Sequence, residues 1–309
     1  MTDAIVLSGY GPPEVLVPGE VEVGPPGSGQ IRVRVGFAGV GPTDLAIRAG
    51  HLRGAFGNHP GSVLGFEASG VVDAAGPDVD DVRPGDAVAV FLPELGGYAG
   101  QVLARYWVKV PPAVSAQDAA ALPASGEAAA RVVDETGVAA GETVLIAGAA
   151  GSVGLVAVQL AAARGARVLA AVRPDDFGLV VKAGATPVAY GTELVKNVLA
   201  ANVRAPVPAV DAVIDASGAG VLAAAVELAG GPGRVVTLSD PRAGDFGVRL
   251  SGPDGPRITE RLQTAMTALA AGQLLLRAQS VAPLAAAARV HRDLEDHQLR
   301  TKVLLSVQA

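Results

Sequence analysis

From residue 4 to about residue 114 the apolar positions fall in short runs, the texture of β structure. Ile31-Arg32-Val33-Arg34-Val35 alternates apolar and charged side chains with period two, which predicts a half-buried strand. Further apolar runs at 71–72, 87–91 and 102–110 are separated by turns such as Pro84-Gly85-Asp86. At Ser115 the texture changes. Ser115-Ala116-Gln117-Asp118 reads as a helix start with a capping serine and an acidic first turn, and Ala-rich helical sequence runs on to Val138. Strands predicted at 144–147, 168–172, 186–190, 212–215 and 234–238 then alternate with helices after Gly154 and at 194–200 and 221–228. That alternation predicts an α/β fold on a doubly wound parallel sheet. Residues 239–256, rich in Gly, Pro and Asp, predict a loop or irregular hairpin, followed by a helix over 258–271. The tail predicts a strand at 279–281, a helix around 284–294 and a last strand at 302–307.

Within this pattern, residues 141–175 hold a strand, a glycine turn, a helix and a second strand. The turn reads G-x-x-G-x-x-G, with Gly148, Gly151 and Gly154, and Ala150 where the usual dinucleotide fingerprint has its second glycine. In such a βαβ unit one glycine permits the turn, one lets backbone N–H groups approach a pyrophosphate, and one packs helix on sheet, while the helix N-terminus faces the anion. The stretch 143–163 carries no charge and is long enough to rival a membrane span, which needs about 20 apolar residues. Its central glycines and serine favour strand, turn and helix, and with them dinucleotide binding over a cofactor-free turn.

Composition narrows the picture. Half of the 309 residues are hydrophobic, 17% are charged and 4% aromatic, so the core is expected to be Ala, Val and Leu. A net charge of −6 without a basic run speaks against nucleic acid or an anionic membrane as partner. The absence of cysteine removes disulfides, thiolate nucleophiles and thiolate-ligated metals. The first residues lack the basic and apolar regions of a signal peptide, so a soluble cytoplasmic protein is expected.

The order of parts resembles the medium-chain dehydrogenase/reductase superfamily, in its zinc-free quinone oxidoreductase and enoyl reductase branch, over nearly the whole chain. The likeness is carried by Gly41-Pro42-Thr43-Asp44 with Arg48-Ala49-Gly50, by Pro60, by the run from Gly65 through Glu67 to Gly70 and Val71, and by Arg83-Pro84-Gly85-Asp86. Gly97-Tyr98-Ala99, the run from Asp118 to Pro123, the run from Gly141 to Gly154, Gly184-Ala185 with Tyr190, and Thr301-Lys302 complete it. The resemblance implies a GroES-like β-rich substrate domain from residues 1–117 and 276–309. A Rossmann dinucleotide-binding domain, residues 118–275, is inserted into it. The active-site cleft is implied at the domain junction, and a homodimer through the edges of the nucleotide-binding sheets.

Zinc-dependent relatives carry a Cys at the position matching Gly41 and a His at the one matching Phe66, and the cysteine lobe of their structural zinc is missing as well. The four histidines, His51, His59, His291 and His297, lack the spacing of a helical metal site, so no metal is expected. Without a Lewis acid, hydride addition to a conjugated C=C becomes the natural reaction. Negative charge moves onto the carbonyl oxygen and the α-carbon is protonated.

Arg173, after the second strand of the βαβ unit, stands where an arginine accommodates the 2′-phosphate of NADPH rather than the free ribose of NADH. Tyr190 argues the same way through the resemblance, whereas a family lysine falls at Asp176 and Asp175 adds further negative charge. NADPH is expected ahead of NADH. By position, Gly148, Ala149, Ala150, Gly151, Ser152, Val153 and Gly154, then Ser217, Gly218, Leu238 and Ser239, and Lys302 of the closing motif, are candidate cofactor residues. Arg173 and Lys302 could each be a solvated surface residue instead.

Departures from the family concentrate in the expected substrate pocket, where Gly41 and Ala46 replace polar side chains. Glu127 takes the place of a threonine and is either a proton donor, if burial raises its pKa, or the partner of Arg131 at i+4. Asp44 is either catalytic or ion-paired with Arg48, and Tyr98 either donates to a substrate carbonyl or packs its ring. His51 and His59 flank a loop that either closes over the cleft or carries surface histidines. The expectation is a zinc-independent, NADPH-dependent reductase of quinones or α,β-unsaturated carbonyls. The alternative is a nucleotide-binding redox sensor or structural protein without turnover.

Overall fold

A computed structural model of the chain describes residues 1–54, 59–201 and 209–307. The chain divides into two compact units, residues 1–124 with 278–309, and residues 125–277.

The first unit begins with β1 (Thr2–Leu7) and β2 (Leu16–Val21), an antiparallel pair. β3 (Ile31–Val40) follows, with Ile31, Val33 and Val35 fully buried and Arg34 exposed, as the period-two pattern predicts. α1 (Pro42–Ala49) and β4 (Glu67–Ala75) come next, then β5 (Ala87–Phe91). The run expected over 102–110 breaks at Arg105 into β6 (Gln101–Ala104) and β7 (Tyr106–Lys109), because the chain leaves β3 there and pairs with β5 instead. α2 (Ala116–Ala121) is capped by Ser115, whose hydroxyl accepts the Asp118 N–H at 3.0 Å. It packs on β3, β4 and β5, which draws the boundary of this unit to Ala124 rather than residue 117.

The second unit is built from α3 (Pro123–Thr136), β8 (Thr143–Ala147), α4 (Ser152–Ala163), β9 (Arg167–Val172), α5 (Phe177–Lys182), β10 (Thr186–Ala189) and α6 (Leu194–Ala201). β11 (Ala212–Asp215), α7 (Leu222–Ala229), β12 (Val235–Thr237), β13 (Arg249–Leu250) and α8 (Ile258–Ala270) complete it. Its six strands run parallel in the order β10-β9-β8-β11-β12-β13, the doubly wound order with its switch point between β8 and β11. Every residue of β8 is buried, as a central strand covered on both faces requires. Where a loop or hairpin is expected over 239–256, β13 adds a two-residue parallel strand to the edge of β12. Both its residues are exposed, so no apolar pattern announces it.

The chain then returns to the first unit with β14 (Gln279–Pro283), α9 (Ala287–Glu295) and β15 (Lys302–Ser306). β15 lies between β14, to which it is parallel, and β3, to which it is antiparallel, in a sheet ordered β14-β15-β3-β4-β5-β7 with β6 beside β3. Among the described residues no helix is long and apolar enough to cross a membrane.

Candidate functional site

At the carboxyl edge of the parallel sheet the chain turns from β8 into α4 through Gly148, Ala149, Ala150 and Gly151. Gly148 has φ +73°, and a Cβ there would stand 3.0 Å from the Ala216 carbonyl carbon and the Ser217 nitrogen. The turn therefore lies flush against the end of β11. Gly151 is the N-cap of α4, Ser152 and Val153 open its first turn, and buried Gly154 sets the helix directly on Ala149. The first amides of the twelve-residue α4 have no acceptor within the helix.

Asp215, at the end of β11, is fully buried and organises the neighbouring loops. Its Oδ1 accepts from the Ser217 N–H (2.9 Å), the Ser217 hydroxyl (2.6 Å) and the Gly218 N–H (3.2 Å). Its Oδ2 accepts from the Thr237 hydroxyl at 2.9 Å. Thr237 Oγ1 in turn accepts the N–H of Asp240 at 3.1 Å, and Leu238 N–H reaches the Asp215 carbonyl at 3.0 Å. The Ser239 hydroxyl occupies the space a side chain on Gly218 would need. The Tyr190 hydroxyl, after β10, donates to the Ala219 carbonyl at 3.5 Å. Burial and the Asp215 carboxylate push its phenol above the ordinary value. Arg173 follows β9 and is 56% exposed, its Nε 3.6 Å from the Asp176 carboxylate.

All the sequence-predicted cofactor residues of the second unit therefore lie at one sheet edge. Asp215 and Thr237 escape a sequence reading, although a carboxylate closing the apolar run 212–215 marks a strand end. Arg277 escapes it entirely. Its guanidinium donates to the Ala150 carbonyl at the glycine turn from 127 residues away, with no local signal.

The remaining predicted residues are committed elsewhere. Glu127 is fully buried, and its carboxylate accepts from Arg131 Nε at 3.1 and 3.2 Å and from Arg261 Nη1 at 3.3 Å. It takes the ion-pair alternative, its carboxylate held by two guanidiniums.

Asp44 and Arg48 do not pair. Asp44, at the third position of α1, accepts the N–H of Gly41 at 2.9 Å, a donor that the helix start leaves open, and the N–H of Gly65 at 3.0 Å, from the segment before β4. Burial raises its pKa to about 7, against the lowering effect of those amides and of Lys302. Arg48 donates instead to the Gly11 carbonyl at 2.5 Å and to Glu295 of α9. Tyr98 is fully buried, with its hydroxyl 3.2 Å from His291 Nε2, so it is a core residue rather than an open donor. Burial, aided by the charge of Arg48, lowers the His291 pKa to about 3.

Lys302 is buried too, ion-paired with Glu67 and donating to the Val40 carbonyl at 3.0 Å, which excludes its solvated reading. Gly41, the N-cap of α1, and Ala46 within that helix are half-buried. Phe66, where zinc-dependent relatives carry a ligand, packs its ring 6.4 Å from that of Phe91. Among the described residues no group of three or more His, Asp or Glu is arranged to hold a metal ion. Of the loop between His51 and His59, residues 55–58 lie outside the described residues. A depression of about 310 Å³ in the first unit, lined by Arg34, Phe37, Ser69 and Val110 among others, includes none of the predicted site residues.

Comparison with known proteins adds several similarities. Residues 27–111 match the alcohol dehydrogenase GroES-like domain. The chain is 37% identical over 181 residues to 2-haloacrylate reductase of a Burkholderia species, covering 57% of this chain and 54% of that protein. It is 35% identical over 189 residues to a quinone oxidoreductase of Pseudomonas aeruginosa, covering 60% and 57%. These matches thus span little more than half of the relatives' length. The fold matches a quinone oxidoreductase from Coxiella burnetii with TM-score 0.85 and 26% identity over 99% of both chains. With its GroES-like unit and six-stranded Rossmann sheet, the chain has the fold of the medium-chain dehydrogenase/reductase superfamily, and over little more than half of their length it is similar in sequence to a 2-haloacrylate reductase and to quinone oxidoreductases.

Proposed function

We propose that the protein is an NADPH-dependent reductase that works without zinc on conjugated acceptors, either quinones or α,β-unsaturated carbonyl compounds. The observation that carries this reading is the close-packed glycine turn at Gly148 and Gly154, where a side chain would strike the backbone at the end of β11 or push the N-terminus of α4 away from the turn, the geometry that a pyrophosphate-binding turn requires. Ser152 and Val153, in the first turn of α4, would offer their amides to the same anion, the Gly151 N–H being taken by the Gly148 carbonyl at 2.9 Å, and Arg277 adds a positive charge at the turn. Arg173 would hold the 2′-phosphate, and Tyr190, Ser217 and Ser239 line the remainder of the edge. The relatives named for quinones and for 2-haloacrylate reduce acceptors of the class this reading requires.

Bound there, the reduced nicotinamide supplies a hydride to the β-carbon of the acceptor. What the chain must add is orientation and exclusion of competing reactions rather than an acid–base pair. Glu127 is ion-paired, Tyr98 is interior, and both oxygens of Asp44 hold backbone amides. We therefore assign the α-carbon proton to water. The reading includes a homodimer, for which Leu250 offers an exposed apolar residue on the outermost strand β13.

The test follows NADPH absorbance with a panel of quinones, enals and enones. Acceptor-dependent oxidation of NADPH is expected with at least one class. Tight NADPH binding with no oxidation anywhere in the panel would leave a nucleotide-binding protein without turnover.

A further inference from the structure

We propose that Arg242 anchors a carboxylate on the acceptor, so that the preferred substrates are α,β-unsaturated acids rather than neutral conjugated carbonyls. The proposal rests on the reductase reading above and narrows its substrate class.

Its first support is position. In a doubly wound sheet the strands on one side of the switch point serve the adenosine half of a dinucleotide, and those on the other side serve the reactive half. The glycine turn after β8 and Arg173 after β9 mark the adenosine side. Arg242 belongs to the loop after β12, on the opposite side of the switch point.

The second support is how Arg242 is held. Asp240 is 2% exposed while the Arg242 side chain is 54% exposed, so the pair points its negative end inward and its positive end outward. Asp240 Oδ1 accepts from the Arg242 backbone N–H at 3.0 Å and from Nε at 3.2 Å, and Oδ2 accepts from Nη2 at 3.1 Å. Asp240 is itself tied through its N–H to Thr237, and through Thr237 to Asp215. Across the loop, Nη2 lies 3.0 Å from the place a Cβ on Gly220 would occupy. The guanidinium is thereby fixed in orientation, and its Nη1 donates to no described residue. Arg242 holds Asp240 below the usual carboxylate range, and Asp245 contributes a weaker attraction from the surface. A planar guanidinium fixed on one side and open on the other suits carboxylate recognition better than a mobile lysine would.

The third support is chemical. A carboxylate conjugated to a C=C makes its β-carbon a poor hydride acceptor. As the new C–H bond forms at the β-carbon, the π electrons move toward the carboxylate. The reduced nicotinamide is oxidised, and the α-carbon takes a proton from water. A guanidinium on that carboxylate meets the charge where it accumulates.

The experiment compares acrylate with acrylamide, a charged and a neutral molecule of nearly the same shape. Both are used as acceptors with NADPH and as ligands titrated into the NADP⁺-loaded protein. Arg242→Gln is expected to weaken acrylate about 10- to 100-fold, the worth of a charge-assisted hydrogen bond, while leaving acrylamide and NADPH affinity within about 3-fold. Asp240→Asn should show the same selectivity with a smaller loss. Equal losses for acrylate and acrylamide, or a loss that follows NADPH affinity, overturn the proposal and make the pair a loop clamp. If no acceptor oxidises NADPH the reductase reading fails, and the titration still decides. Acrylate binding that Arg242→Gln selectively abolishes upholds the anchor, and acrylate binding indifferent to Arg242 removes it.

Discussion

Gly154 stands so close to the glycine turn that a Cβ on it would lie 2.7 Å from Ala149 Cα and 2.8 Å from the Gly148 carbonyl carbon. These are backbone atoms of a buried turn and have nowhere to go. Gly154→Ala is expected to cost about 1–3 kcal/mol, the usual range for overpacking, and to weaken NADPH binding with it. Gly151→Ala meets only the Gly148 carbonyl oxygen, at 3.2 Å, and should be the milder change in both respects. Urea denaturation and a fluorescence titration with NADPH on both variants check the order.

Glu127→Gln should act on stability rather than on chemistry. It removes the carboxylate shared by Arg131 and Arg261 in a site from which water is excluded. A loss of about 3 kcal/mol is expected, the low end for a broken buried pair because Arg261 keeps Asp254 and Arg131 keeps Ser251. The folded fraction should turn over at the wild-type rate. A fully folded variant with a depressed kcat would contradict this and return Glu127 to the reaction.

The first unit carries two opposing pH dependences. Asp44, raised to about 7, contributes stability that is fully present below its ordinary pKa of 3.8 and lost as pH rises through 7. His291, lowered to about 3 from 6.5, contributes stability that is present above 6.5 and lost as pH falls through 3. Between about pH 4 and 6.5 the two slopes, each roughly 1.4 kcal/mol per pH unit, cancel. His291→Gln should unmask the Asp44 slope, so that its unfolding free energy falls with rising pH across that window while the wild-type value stays flat. Parallel curves for the two proteins would refute the assignment.

Arg173→Ala should weaken NADPH by about 10- to 100-fold and leave NADH nearly unchanged. Asp176, 3.6 Å from Arg173 Nε, competes for the same guanidinium, so Asp176→Asn is expected to improve NADPH binding modestly. Dissociation constants for the two nucleotides with each variant decide the matter. Equal effects on NADPH and NADH would deprive Arg173 of its phosphate role.

What could be read from the sequence was what neighbours in the chain decide. The alternation at 31–35, the cap at Ser115 and the βαβ unit around Gly148 are local signals, and each stands in the structure where it was expected. Local reasoning failed where a distant residue won the contest. Arg48 is one helical turn from Asp44, yet Glu295 claims it, and the amides of Gly41 and of distant Gly65 claim Asp44. Tyr98 looks like a donor only until His291, 193 residues away, is placed against it. Lys302 looks solvated at the head of its strand because nothing nearby reveals Glu67 and the Val40 carbonyl. The short β13 carries no pattern at all and exists because β12 leaves an edge to extend.

The place of β15 has a consequence for how the protein is made. It is an interior strand of the seven-stranded sheet, lying between β14 and β3, yet it is the last strand in the chain. The second unit is one continuous segment, so its sheet can close as soon as residue 277 has emerged. Until Lys302–Ser306 are synthesised, residues 37–40 of β3 have no partner on the side away from β4, and the first unit waits half-built. Synthesis thus reverses the order in which the sequence begins the two units, and a nascent chain stalled before residue 302 would present that open edge to other chains.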